Sequence, residues 1–313
     1  VKKDTIIIGT RSSKLALWQA EYVKSRLEEK YPDLTVKLKL MTTKGDKILD
    51  APLAKIGGKG LFTKELETDM LEGGIDLAVH SLKDMPTEVP AGLVISAITK
   101  RFDPGDAVVS PQYKKFSELP QGAKVGTSSL RRKAQLLHVR PDLNICDLRG
   151  NVNTRLRKLE EENFDAIILA VAGLKRLGFG ERITDVLPKS MVLPAVGQGA
   201  LAIETRAADE EVRGLIAFLN DEETVQCATA ERSFLARVEG GCQVPVGVYA
   251  TPTEAGEIQV EAVIASVDGA KLYRDKLTGR ADRCEKIGQE LADKLLAMGG
   301  LQIMQEIGLL MDR

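Results

Sequence analysis

Lys124-Val125-Gly126-Thr127-Ser128-Ser129 reads as a short strand that breaks at a Gly-Thr turn and opens a helix at Leu130. The chain uses the same device earlier. Thr5-Ile6-Ile7-Ile8 is an apolar strand, Gly9-Thr10-Arg11-Ser12-Ser13 is the turn, and Ala16, Ala20, Val23 and Leu27 mark one face of a helix. Ser12 or Ser13 is the natural N-cap of that helix, because a side-chain oxygen there accepts from amides that no carbonyl reaches. The parallels continue outward. Arg140-Pro141-Asp142-Leu143 closes the later helix as Tyr31-Pro32-Asp33-Leu34 closes the earlier one. The strand expected over 144–148 delivers Arg149-Gly150-Asn151, where strand 35–41 delivers Lys44-Gly45-Asp46. A helix and a strand complete each set, 61–71 and 76–82 in the first, 152–161 and 164–170 in the second. This is the pattern of two similar βαβ-rich lobes. Such lobes line a cleft with strand ends and helix N-termini, whose free N–H groups and dipoles attract anions.

Beyond the second lobe the chain changes character. Met191-Val192-Leu193-Pro194-Ala195-Val196-Gly197-Gln198-Gly199-Ala200 is a Gly/Pro-rich connector into another strand, followed by helices expected over 211–219 and 222–238. Residues 257–266 and 271–278 alternate like hairpin strands around Asp268-Gly269. Residues 284–298 are amphipathic through Ile287, Leu291 and Leu295, and 301–310 continue helical. The expected fold is therefore α/β, two lobes followed by a smaller α+β domain. A length of 313 residues accommodates two or three domains of about 100 residues each. With 44 basic and 45 acidic residues the net charge is −1, so no global field recruits nucleic acid or a membrane surface. The opening Val1-Lys2-Lys3-Asp4-Thr5 enters a strand without an apolar signal region, and four scattered cysteines form neither a C-x-x-C pair nor a zinc spacing. These features point to a cytoplasmic chain with reduced thiols and no metal, and nothing demands more than a monomer.

One of those cysteines stands apart. In Glu239-Gly240-Gly241-Cys242-Gln243-Val244-Pro245-Val246-Gly247 the thiol lies between glycines that let the backbone bend away and a proline that fixes the exit. A lone cysteine is more often a small buried residue, so other residues must carry the functional reading. Arginines do so. Arg11, Arg131, Arg132, Arg149, Arg155 and Arg176 fall in or beside the expected cleft loops, with Lys55, Lys59 and Lys83, and guanidinium forks suit carboxylates or phosphates. Arg131 and Arg132 sit in a first helical turn, which the dipole disfavours and a bound anion would offset. On the helix from Val152 the apolar stripe is Val152, Leu156 and Leu159, which puts Arg155 at its edge and Arg157 in solvent. Asp84 is the single acid at a strand end in this cationic setting, suited either to capping the next turn or to steadying a positive charge that develops during a reaction. With only His80 and His138 in the chain, Ser-His or Cys-His nucleophilic catalysis is a poor fit, and His80 reads as a strand residue.

Ala78-Val79-His80-Ser81-Leu82-Lys83-Asp84, Val125-Gly126-Thr127-Ser128-Ser129-Leu130-Arg131-Arg132, Leu148-Arg149-Gly150-Asn151, Leu193-Pro194-Ala195-Val196-Gly197-Gln198-Gly199 and Glu239-Gly240-Gly241-Cys242-Gln243-Val244-Pro245 together resemble the porphobilinogen deaminase (hydroxymethylbilane synthase) family. Several long motifs in order make the resemblance specific over nearly the whole chain. It implies two lobes similar to type II periplasmic binding proteins, divided as domain 1 over 1–99 and 200–217, domain 2 over 100–199 and domain 3 over 218–313. It implies a transferase that joins four porphobilinogens head to tail with loss of ammonia, giving linear 1-hydroxymethylbilane for haem and other tetrapyrroles. A dipyrromethane cofactor would be bound through a thioether to Cys242 and gripped by Lys83, Ser129, Arg131 and Arg132. Arg11, Ser13, Gln19, Arg149, Arg155 and Arg176 would hold substrate carboxylates or position the incoming ring. Asp84 would be catalytic, and Lys55 and Lys59 would cover the cleft. The alternative is a non-catalytic anion sensor built on the same two lobes.

Overall fold

The structure, a computed structural model, describes residues 3–47, 60–238 and 244–311. In chain order its first half holds β1 (Thr5–Arg11), α1 (Lys14–Lys30), β2 (Thr35–Met41), α2 (Lys64–Leu71), β3 (Leu77–Ser81), β4 (Leu93–Ile98), β5 (Asp106–Val109), β6 (Lys124–Gly126), α3 (Leu130–Val139) and β7 (Asn144–Cys146). Its second half holds α4 (Val152–Glu161), β8 (Ala166–Ala170), α5 (Val171–Arg176), β9 (Asp185–Val186), β10 (Leu201–Arg206), α6 (Glu210–Ile216), α7 (Glu222–Val238), β11 (Val246–Pro252), β12 (Glu257–Ala265), β13 (Leu272–Arg280), α8 (Cys284–Leu295) and α9 (Leu301–Met311). Among the described residues the contacts gather into two compact units, one of residues 3–47, 60–102 and 199–225, the other of residues 103–198, 226–238 and 244–311.

The first unit is one five-stranded sheet ordered β2-β1-β3-β10-β4. β1 runs parallel to β2 and β3, while β10 is antiparallel to both its neighbours. β1 reads Thr-Ile-Ile-Ile because it is covered on both faces. Ile6 and Ile8 join Ala20, Val23 and Leu27 of α1, and Ile7 packs against Leu66, Met70 and Ile75. The helix expected over 61–71 is regular only from Lys64.

The second unit contains a sheet ordered β7-β6-β8-β5-β9, whose strand directions repeat those of the first: β6 parallel to β7 and β8, and β5 antiparallel to β8. The likeness extends to single bonds. Asp76 accepts from the amide of Ile7 at 2.8 Å, and Asp165, in the same place before β8, accepts from Lys124 at 2.8 Å. Close packing forces the glycine of each Gly-Thr turn. A Cβ at Gly9 would lie 2.4 Å from Ile75, and one at Gly126 would lie 3.0 Å from Ile167, Leu148 and Phe164.

A separate meander, β11-β12-β13, also belongs to the second unit and packs with α7 and α8 around Phe234, Val248, Val260, Ile264, Leu291 and Leu295. The turn of its β12–β13 hairpin docks on α3, where His138 Nδ1 donates to the Gly269 carbonyl at 2.7 Å. The helix expected over 284–298 ends at Leu295, in a wide turn whose Gly299 has φ 138°.

Candidate active site

The ends of β1 and β3 and the start of α1 build a pocket in the first unit. Arg11, Ser13, Gln19, Phe62, His80 and Asp84 are among its walls. Ser13 is the N-cap of α1, its hydroxyl accepting from Ala16 N at 3.4 Å. Gln19 is buried one turn later and donates from Nε2 to Ser81 Oγ at 2.7 Å. Arg11, the last residue of β1, donates from Nε to Asp46 Oδ2 at 3.0 Å and makes a second contact to the same carboxylate through Nη2. Its guanidinium carbon also lies 4.4 Å from the centroid of Phe62. Burial alone would raise the Asp46 carboxyl, but the hydrogen bonds and charge of Arg11 hold it below its ordinary range. Thr43 fixes Asp46 in turn, donating from its hydroxyl at 2.8 Å. Arg11 is thus pre-aimed by an acid and a ring. Asp84 ends the single turn Leu82–Asp84 that follows β3, and both it and Lys83 are exposed.

At the equivalent place in the second unit, Ser129 caps α3 by accepting from Arg132 N at 3.1 Å. Arg131 and Arg132 are both buried, and the protein itself supplies them an anion in the first helical turn. Asp106, at the start of β5, accepts from Arg131 Nη1 at 2.7 Å and Nη2 at 3.1 Å, and from Arg132 Nε at 3.0 Å. Burial would raise the Asp106 carboxyl, yet the two guanidiniums hold it well below the carboxylate range. Gln198 Nε2 donates to Asp106 Oδ1 at 3.1 Å, and Arg131 donates to the Leu193 carbonyl at 2.7 Å. Two buried cations against one anion leave the cluster with one positive charge in excess. A carboxylate-bearing cofactor at the mouth of α3 fits that donor set, with the Ser129 O–H still available to donate.

Arg149 and Arg155 are half-buried at the loop and first turn of α4, which Asn151 caps at 2.9 Å, and Arg176 is half-buried at the end of α5. The face assignment on α4 holds: Val152, Leu156 and Leu159 are its buried residues, and Arg157 is exposed, 3.5 Å from Glu161. Cys242, Lys55 and Lys59 lie outside the described residues.

Sequence reasoning did not find Asp46, Phe62, Asp106, or the buried trio His80, Glu204 and Glu67. Asp46 had a signal, since its Gly-Asp pair was already matched to Gly150-Asn151. The others act through partners distant in the chain.

The fold and the pocket define an α/β protein with a cation-and-carboxylate site suited to a small molecule carrying acidic groups. The comparisons then make the chain's family plain: it belongs to the porphobilinogen deaminase family. Residues 6–214 match the family model "Porphobilinogen deaminase, dipyromethane cofactor binding domain", and residues 225–297 match "Porphobilinogen deaminase, C-terminal domain". The chain is 55% identical over 300 residues to the porphobilinogen deaminase of Pelobacter propionicus, covering 96% of both chains. To that of Geobacter sulfurreducens it is 54% identical over 300 residues, covering 96% of this chain and 94% of the relative. Among solved structures it is similar to the methionine-binding protein MetQ, with a TM-score of 0.46 and 17% identity over 73% of this chain and 95% of that one. The family is the transferase hydroxymethylbilane synthase, which polymerises pyrroles with a dipyrromethane cofactor for tetrapyrrole biosynthesis, so the sensor alternative falls. No described helix is long and apolar enough to cross a membrane.

Proposed function

We propose that this chain joins four porphobilinogen molecules head to tail, losing one ammonia at each addition, and releases 1-hydroxymethylbilane, with its dipyrromethane held by a thioether to Cys242. The observation that carries the site assignment is the convergence of Arg11, Ser13, Gln19 and Asp84 on one pocket. Porphobilinogen carries an acetate, a propionate and an aminomethyl group. Arg11 and Ser13 answer the carboxylates, by paired N–H bonds and a hydroxyl donor. Gln19, locked by Ser81, fixes the ring's approach. Asp84 steadies the positive charge that develops on the pyrrole as ammonia departs, and passes a proton when the ring rearomatises. The cofactor, when bound, supplies the free pyrrole α-carbon from which the chain grows. Lys83, Ser129, Arg131 and Arg132 hold its carboxylates, with Asp106 keeping the two guanidiniums aimed.

Arg149, Arg155 and Arg176 bind further carboxylates as the product lengthens, and Lys55 and Lys59 cover the site. The meander with its helices is a third domain over 218–313, and the protein works as a monomer in the cytoplasm.

Intact mass tests the attachment directly. The denatured wild-type protein should carry an adduct of two pyrrole units that is absent from Cys242→Ala; an active wild type of unmodified mass would refute the thioether. The arginines are tested as a series. Arg149→Leu and Arg155→Leu should each raise KM for porphobilinogen or stall elongation by about tenfold or more, the worth of a lost charge-assisted pair. Arg157→Leu removes only an exposed i,i+4 pair and should stay within about twofold. Equal rates in all three variants would contradict the helix-face argument.

A further inference from the structure

Behind one wall of the first unit's pocket lie three titratable groups to which the proposed reaction gives no task. His80 of β3 lines the pocket, and its Nε2 is 3.0 Å from Glu204 Oε1 on β10. Glu67 of α2 is the third. Relative exposures of 6% for His80, 0% for Glu204 and 5% for Glu67 shut all three off from water. Glu67 Oε2, Glu204 Oε2 and Thr63 Oγ1 are buried with no hydrogen-bond partner among the described residues. Beside Glu204 the β10–β4 register slips, Ile203 pairing with Ala97 but Glu204 with Ile95. Such irregularities re-aim side chains.

The charge state of the trio follows from its surroundings. Among the described residues Arg11 from β1 and Asp84 from the turn after β3 are the charged groups that face it, and β4, Leu93–Ile98, brings none. Burial pushes His80 down to about 4, so the imidazole is neutral. Burial first, and then the Glu204 carboxyl, push Glu67 up to about 7, and burial raises Glu204 as well. Two adjacent buried carboxyls cannot both ionise cheaply, so the pair titrates as a unit. One arrangement satisfies the two carboxyls and the imidazole together. A proton on Glu67 is donated to Glu204, and the Glu204 carboxylate also accepts from His80 Nε2–H, leaving Nδ1 with a lone pair.

We propose that Glu67 and Glu204 are positioning residues: sharing one proton, they fix the buried, neutral His80 with its hydrogen on Nε2, so that Nδ1 is an acceptor on the pocket wall for an N–H group of the substrate. The inference rests on the reading that this pocket takes porphobilinogen. It gives His80 a task that a strand residue would not need, and it leaves Asp84 as the one full negative charge that the substrate meets.

The chain's two histidines make the test direct. Nitrogen NMR of the holoenzyme, with His138→Gln to tell the imidazoles apart, should find His80 protonated at Nε2 and bare at Nδ1 between about pH 5.5 and 8.5. Its signals should shift once near pH 7 as the pair gives up its shared proton. Glu67→Gln should abolish that step while keeping the tautomer, and Glu204→Gln should mix the tautomers. In kinetics, the extra negative charge above pH 7 should raise wild-type KM for porphobilinogen by about five- to tenfold, the scale of one partly screened charge nearby, and Glu67→Gln should flatten that rise. An Nδ1–H tautomer in the wild type, or a Glu67→Gln variant with the wild-type NMR step and KM profile, would overturn the inference. Failure of the wild type to turn over porphobilinogen would instead overturn the pocket reading, and the tautomer measurement would still judge the trio.

Discussion

Replacing Asp106 by alanine should cost about 3–5 kcal/mol of folding free energy, enough to rank with the largest single-residue effects in the molecule. The reason is the company it keeps. Asp106 is 2% exposed and answers two guanidiniums that are themselves 7% and 5% exposed, so its loss strands two buried cations at the positive end of a helix. Asp106→Asn keeps the shape but not the charge, and should recover only a small part of the loss. Asp282→Ala is the control. Its partner Arg280 is 73% exposed in side chain, and the variant should lie within about 0.5 kcal/mol of wild type. Denaturant unfolding of the three variants decides the matter: an Asp106→Ala midpoint close to that of Asp282→Ala would show that the cluster is not a buried ion network. The carboxyl titrates well below the usual range, so its contribution should persist at neutral pH and fade only as pH falls below about 4, the ordinary value for an aspartate.

The two-lobe plan was legible because it rests on local signals. The strand, Gly-Thr turn and capped helix at Thr5–Arg11 and Lys14–Lys30 recur at Lys124–Gly126 and Leu130–Val139, and each copy is decided by residues within a few positions of one another. The cap of the first helix could be narrowed to Ser12 or Ser13 for the same reason, and the structure places it at Ser13. Glu204 could not be read. A glutamate in the strand Leu201–Arg206 suggests a solvent face, and only the insertion of β10 between β3 and β4 brings it to His80, 124 positions away in the chain. Asp106 was hidden likewise, because nothing near it announces two arginines that are 25 and 26 positions downstream. Arg131 and Arg132 were correctly seen to need an anion. What no local pattern could say is that the protein supplies one of its own, Asp106.

Asp84→Ala should lower kcat by at least about 10²–10³-fold, corresponding to about 2.7–4 kcal/mol of lost transition-state stabilisation, while leaving the protein folded. The two halves of that expectation come from the same geometry. Because Asp84 is exposed at the end of the turn Leu82–Asp84, its removal opens no cavity, and stability should stay within about 0.5 kcal/mol of wild type. Because it shares a pocket with Arg11, Ser13 and Gln19, its carboxylate is the group that can meet a cation forming on a ring whose acidic arms those residues hold. Asp84→Asn removes the charge but keeps the volume, so it should be nearly as inactive as alanine if the role is electrostatic. Asp84→Glu restores the charge one methylene further out and should recover part of the rate, since a fixed charge loses effect when displaced by about 1 Å. KM should move much less than kcat in all three, because the interaction strengthens only as ammonia leaves. An asparagine variant turning over at the wild-type rate would remove Asp84 from the chemistry, and a loss carried by KM alone would make it a binding residue.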